Sequence, residues 1–306
     1  MSEPLDLVVI GSGVAGLSAA LQAARLGLKT MVVAEMGVGG QIMNAPHIDN
    51  YPGILDPIGG YDLGPILHEQ AETAGAKFMF DRIEAIDVDG DQFSVRGDSE
   101  MLVCRSIIIA AGSRPRKLGA PGEDRLTGRG VSHCASCDGP LFRNMRVVVV
   151  GGGDAAFDEA LILSAYARHV TILCRNDRPR AQQVLRDRVA SASNIDLRCG
   201  VLVEEIIGDG GVTGIRLRKS GAADVSIEAC DGIFVSIGSD ANTGWLGALV
   251  SVTPQGLVVV DAMMRTSVPG IFAAGVIRAG SVGLLAAVAG DGVTAAVAAG
   301  RYLTLR

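Results

Sequence analysis

Two cysteines three positions apart, Cys134 and Cys137, followed at once by Asp138, are the residues of this chain best suited to chemistry. Thiols at this spacing can close a small disulfide ring, and in such motifs one thiolate becomes a nucleophile near neutral pH. Asp138 adjoins the second sulfur and can pass a proton as thiol and thiolate interconvert. His133, on the other side of the pair, can favour a thiolate electrostatically. Two plainer readings of the pair stay open at this point: half of a zinc site, or two structural thiols. Zinc would need a second ligand pair. Cys104, Cys174, Cys199 and Cys230 are scattered singly, and His47, His68 and His169 form no spaced pair, so no metal is expected. Cys104 and Cys230 fall in apolar runs and read as core.

The elements that must carry this pair are legible around it. Residues 5–10 (LDLVVI) form a run that is apolar apart from Asp6, suited to a strand buried on both faces. GSGVAG follows, supplying Gly11, Gly13 and Gly16, then a helix rich in Ala and Leu, then a second apolar run ending at Glu35. The unit recurs: MRVVVV (145–150), then Gly151, Gly153 and Ala156 in the G-x-G-x-x-G/A positions, a helix, and a returning strand ending at Arg175. Gly16 to Glu35 spans 19 positions (35 − 16), as does Ala156 to Arg175 (175 − 156). Glycines at this spacing let backbone N–H groups and the helix N-terminus approach a pyrophosphate. The two copies differ where they should discriminate. Glu35 can accept from ribose hydroxyls and would repel a 2′-phosphate, whereas Arg175 can pair with one, with Arg178 and Arg180 just beyond. The first site therefore suits the adenosine half of FAD or NAD, and the second suits NADP(H) without excluding another adenine dinucleotide.

Shorter apolar runs ending in glycine, 106–112, 231–238 and 270–275, supply further strands. Segments 113–123 and 239–244, rich in Pro, Gly and polar residues, read as connections. The expected fold class is α/β, with two Rossmann-like dinucleotide-binding domains, the second inserted into the first. The first is discontinuous, 1–113 plus 245–306, and the second, 118–240, carries the cysteine pair. The chain has 306 residues and 41 glycines, about twice the usual share of roughly 7%. A net charge of −6 without a basic run argues against nucleic acid as a partner. No signal peptide is expected from MSEPLDLVVIG, and the apolar stretch 281–300 is interrupted by Asp291 and several glycines, so no membrane span is expected either. Few, scattered cysteines point to a cytoplasmic protein.

Taken together, GSGVAG, Gly39-Gly40-Gln41, Asn50-Tyr51-Pro52-Gly53, the AAG of 110–112, Cys134-Ala135-Ser136-Cys137-Asp138-Gly139, GGGDAAFDEA and GIFAAG (270–275) resemble the low-molecular-weight thioredoxin reductases, in the same order over essentially the whole chain. The resemblance implies an FAD domain interrupted by an NADPH domain that carries the disulfide, a homodimer, and a thioredoxin-like small redox protein as partner. It implies that Gly11, Gly13, Gly16, Gly39, Gly40, Gln41, Asn50 and Gly112, with Glu35 and Gly275, line the FAD. Gly151, Gly153, Asp154, Ala155 and Ala156 would hold the second nucleotide, with Arg175 and Arg180. Cys137 would face the flavin, Cys134 would exchange with the partner's disulfide, and Asp138 would be the acid–base group.

Two departures bear on the electron donor. The family's His-Arg-Arg-x-x-x-Arg stretch is here Cys174-Arg175-Asn176 and then Arg180, one arginine short. After GIFAAG, Val276 stands where the family has Asp, and Gly283-Leu284-Leu285 stands for an Arg-Gln-Ala segment, which makes the expected flavin pocket more apolar there. The alternative implied is a related enzyme with another donor (ferredoxin, or a second flavin at the Gly151 site) or a dithiol oxidase.

Overall fold

The computed structural model describes residues 4–35, 37–222 and 224–305. The chain divides into two compact units, Met1–Arg114 with Asp240–Arg306, and Pro115–Ser239.

In the first unit the run 5–10 becomes the strand Leu7–Ile10, every residue of which is buried. It lies in the middle of a five-stranded parallel sheet ordered Ile271–Ala273, Ile107–Ile109, Leu7–Ile10, Thr30–Ala34, Lys77–Phe80. Burial on both faces is why this strand reads as an unbroken apolar run and not as an alternation. One face is covered by the helices Val14–Arg25 and Leu285–Thr304, which meet through Ala15, Ala19, Ala295 and Ala299. Small residues there let the backbones touch: a Cβ on Gly292 would sit 2.1 Å from the Ala15 carbonyl oxygen. The other face is covered by Phe93 and Val95 of a three-stranded antiparallel sheet. From Leu285 onward the apolar stretch 281–300 thus belongs to a packed helix. Among the described residues no helix is long and apolar enough to cross a membrane.

The second unit repeats the plan. Its parallel sheet runs Ile195–Cys199, His169–Cys174, Arg146–Val150, Gly232–Val235, Val131–Ser132. Phe157, Ala160 and Leu163 of the helix Asp154–Ser164 pack on one face with Phe234. The other face meets Ile206, Ile215 and Leu217 from a second antiparallel sheet. The fold is therefore α/β with two Rossmann-like sheets, each built on a strand, glycine turn and helix.

Candidate active site

The strand Val131–Ser132 leads into a single helical turn, Ala135–Asp138, with Cys134 at its N-cap. Cys134 and Cys137 are joined in a disulfide, their Cα atoms 5.4 Å apart. Cys134 is half-buried and Cys137 exposed. The Cys137 backbone N–H points at the Cys134 sulfur, 3.2 Å away, so a thiolate formed there on reduction meets a donor already in place. Ser132 ties the turn together. Its hydroxyl donates to Asp138 Oδ2 at 2.6 Å and accepts from the Cys134 N–H at 3.0 Å. One hydroxyl thus fixes the acid relative to the first cysteine. His133 is engaged elsewhere, its Nδ1 lying 3.0 Å from the Val235 carbonyl.

Beneath the turn lies a carboxyl that the motif spacing does not reveal. Glu159, on the helix Asp154–Ser164, accepts from the Ser236 hydroxyl at 2.7 Å and from the Ala135 N–H, between the two cysteines. Burial pushes its carboxyl up from 4.5 to about 7, against the opposing effect of these two hydrogen bonds. A carboxyl raised on folding stabilises the fold fully below its unfolded value and loses that contribution as pH rises through the folded one, here up to about 3 kcal/mol. Between about pH 5 and about pH 8 the urea midpoint of the wild type is therefore expected to fall relative to that of Glu159→Gln. Parallel midpoints across that range would show that Glu159 does not titrate there.

The second glycine turn is shaped by close approach. A Cβ on Gly151 would lie 2.2 Å from the Ser236 carbonyl oxygen, and one on Gly152 would lie 2.5 Å from Cys174 Sγ. Gly153 caps the following helix, and a Cβ there would meet open space. Ala155 is exposed and Ala156 buried in the first turn of that helix. Asp154 is already occupied: both its oxygens accept from Gln182, at 2.7 Å from the backbone N–H and 2.6 Å from Nε2. The loop after the strand His169–Cys174 folds back on the turn, with the Arg180 N–H donating to the Gly152 carbonyl at 2.6 Å. Arg175, Arg178 and Arg180 are exposed, and among the described residues none of their guanidiniums has a hydrogen-bonded or ionic partner. Three uncompensated cations beside a glycine turn raise the local positive potential, which attracts anions.

The first glycine turn is tighter. A Cβ on Gly16 would fall 1.9 Å from the Gly11 carbonyl oxygen, and one on Gly11 would fall 2.3 Å from that of Ala110. Gly13 caps the helix Val14–Arg25 and bridges to Gly39, while Gly40 packs within 2.9 Å of the Gly13 Cα, measured from a hypothetical Cβ. The Gln41 amide donates to the Ser113 carbonyl, next to Gly112. Glu35 is exposed just after the strand Thr30–Ala34, 3.9 Å from Arg82 Nε. Asn50 is exposed in the following loop.

Gly275 shows what motif spacing hides. Its N–H donates to Asp291 Oδ2 at 3.2 Å, and the same carboxylate takes Arg278 through two bonds, 2.7 Å from Nε and 2.6 Å from Nη2. The side chains are 16% and 7% exposed. Val276 thus removes one carboxylate from the segment, while Asp291 supplies another to the backbone one residue earlier. Removing one member of a buried pair leaves an uncompensated charge, so Asp291→Ala is expected to lower stability by about 3–5 kcal/mol in chemical unfolding. Asp291→Ala together with Arg278→Met is expected to recover much of that loss.

Two parallel sheets, each with a glycine turn opening a helix, and a disulfide with a tethered carboxyl define a dinucleotide-dependent disulfide oxidoreductase. The chain belongs to the pyridine nucleotide-disulphide oxidoreductase family, in its thioredoxin reductase branch, and the family pattern matches residues 5–300. It is 42% identical to a thioredoxin reductase of Listeria innocua over 300 residues, covering 97% of this chain and 93% of that one. A thioredoxin reductase of Treponema pallidum is 38% identical, covering 99% of this chain and 98% of its own. The solved thioredoxin reductase of Lactococcus lactis superposes with a TM-score of 0.97 at 35% identity, covering 99% of this chain and 100% of its own.

Proposed function

We propose that this chain passes electrons from NADPH through FAD and the Cys134–Cys137 disulfide to a thioredoxin-like small protein. The observation that carries the reading is the disulfide turn with Asp138 tethered through Ser132 to Cys134. The first glycine turn suits FAD, because Gly11 and Gly16 let the turn close tightly on itself while Gly13, at the helix N-cap, faces open space where a pyrophosphate can approach. When bound, FAD takes up a hydride and delivers two electrons to a disulfide. Gly11, Gly13, Gly16, Gly39, Gly40, Gln41, Asn50, Gly112 and Gly275 would hold it, with Glu35 on the ribose. Gly151, Gly153 and Ala156 would cradle the NADPH pyrophosphate, with Arg175 and Arg180 on the 2′-phosphate. On the reduced enzyme, the Cys134 thiolate attacks the partner disulfide, forming a mixed disulfide and releasing one partner thiolate, which Asp138 protonates. Cys137 then attacks Cys134, restoring the ring and releasing the second partner thiol. A homodimer in the cytoplasm completes the reading.

Val276 and Gly283-Leu284 favour a second reading, in which the donor is ferredoxin or a second flavin, or the enzyme is a dithiol oxidase. An anaerobic titration decides. If the purified yellow protein is bleached by a slight excess of NADPH, the NADPH reading holds. If dithionite bleaches it and NADPH does not, the donor is another. Asn176→Arg adds back a guanidinium and is expected to tighten NADPH by roughly tenfold to a hundredfold. The KM for NADH should stay unchanged.

A further inference from the structure

Cys174 and Cys199 lie 25 positions apart in sequence (199 − 174), yet the parallel register places them directly opposite, as the last residues of neighbouring strands. Neighbouring strands stand about 4.8 Å apart and put opposed side chains on one face. Disulfides need Cα atoms about 4.4–6.8 Å apart. The Cys174 thiol is near enough to help push the Cys199 thiol up. Cys174 is buried and Cys199 half-buried, so one sulfur is reachable and the other waits behind it. Cys104 and Cys230, by contrast, are both buried singly in the cores.

The pair also sits at a mechanically sensitive point. Cys174 Sγ lies against Gly152 of the second glycine turn, and its S–H faces the Arg178 carbonyl at 3.9 Å. One residue beyond the pair, the Gly200 N–H donates to the Asn176 carbonyl at 3.1 Å. The sulfur therefore touches both the turn and the loop that carries Arg175, Arg178 and Arg180.

We propose that Cys174 and Cys199 form a second dithiol–disulfide couple, distinct from Cys134–Cys137, that hydroperoxides oxidise and whose disulfide form weakens binding in the second dinucleotide site. The Cys199 thiolate attacks a peroxide oxygen, so that an S–O bond forms, the O–O bond breaks, and water or an alcohol leaves. Cys174 sulfur then attacks Cys199 sulfur. An S–S bond forms, the S–O bond breaks, and hydroxide leaves as water with the Cys174 proton. Two electrons pass from the sulfur pair to the peroxide. Closing this bond draws Cys174 Sγ toward Cys199, shifts the atom that packs against Gly152, and removes the S–H that faces Arg178. Burial, the Cys174 neighbour and Asp177 push the Cys199 thiol above its usual range, which makes the couple slow and suits it to sustained oxidation.

The consequence for the nucleotide rests on the proposed NADP(H) site, so the test reads the bond and the binding separately. The full-length, flavin-loaded protein is treated with hydrogen peroxide, denatured, alkylated and mapped by mass spectrometry without reduction. A peptide pair linked through Cys174 and Cys199 is expected, with Cys104 and Cys230 still alkylated and no such link in Cys199→Ser. The treated wild type is expected to bind NADP⁺, which cannot reduce the flavin, about fivefold more weakly than before. Treated Cys199→Ser should bind it unchanged. Alkylation of both Cys174 and Cys199 after prolonged peroxide overturns the couple, and linkage with unchanged NADP⁺ affinity overturns its effect on the site. An untreated protein that fails to bind NADP⁺ at all refutes the nucleotide assignment, while the peptide map still decides the couple.

Discussion

Cys137→Ser is expected to abolish NADPH-driven reduction of a thioredoxin-like protein, by roughly four orders of magnitude or more, while the protein stays folded and yellow. The loss is near total because the ring is the relay. A disulfide accepts two electrons together, and a lone thiol beside a serine can accept none. Packing should survive, because Cys137 is exposed and its neighbours on the turn are held by Ser132 and by the Glu159–Ala135 contact. Cys134→Ser is expected to be equally inactive, but the two variants should part in a trapping experiment. Cys134 sits at the N-cap with the Cys137 N–H on its sulfur, the environment of an attacking thiolate. Cys137→Ser, which retains that N–H and that thiol, should therefore accumulate a stable mixed disulfide with the partner, visible on a non-reducing gel. Cys134→Ser should not. The reverse pattern would exchange the two roles, and measurable turnover by either variant would remove the disulfide from the pathway.

The fold class was legible because its signals are local. A short β-branched apolar run such as 147–150, bounded by glycine, reads as a strand buried on both faces, and the glycines that follow at fixed spacing serve a turn made by the same few residues. The Cys134–Cys137–Asp138 unit was legible for the same reason, being held in one helical turn. What stayed hidden depends on register and packing. Cys174 and Cys199 looked single because only the pairing of two parallel strands opposes them. Asp291 looked like an interruption of an apolar stretch, although it joins Gly275 and Arg278 once its helix packs back on the sheet. Glu159 stood in plain view within GGGDAAFDEA, but its role comes from Ala135, 24 positions earlier (159 − 135). Its one sequence signal was an acidic residue on a helix otherwise buried by Phe157, Ala160 and Leu163.

Asp138→Asn is expected to slow partner reduction by about a hundredfold to ten-thousandfold, the range ordinarily lost with a general acid–base. Two protons must reach the partner's sulfurs in each turnover, and Asp138 is the carboxyl carried on the same turn as both cysteines. The substitution is isosteric. Asn Oδ1 can still accept from the Ser132 hydroxyl, and the backbone N–H of residue 138 still donates to the Cys134 carbonyl, as it does now at 3.1 Å. The shape of the turn is therefore kept and the proton is lost. Flavin reduction by NADPH, followed by stopped flow, should be unchanged, because no protein thiol is protonated in that step. Reoxidation by the partner should carry the whole defect. Ser132→Ala separates positioning from chemistry: it keeps the acid and removes its tether, and a loss of about tenfold to a hundredfold is expected, the worth of one charged hydrogen bond. Partner reduction by Asp138→Asn within about threefold of wild type would place the proton source elsewhere, and Glu159, whose carboxyl burial pushes up to about 7, would then be the group to replace.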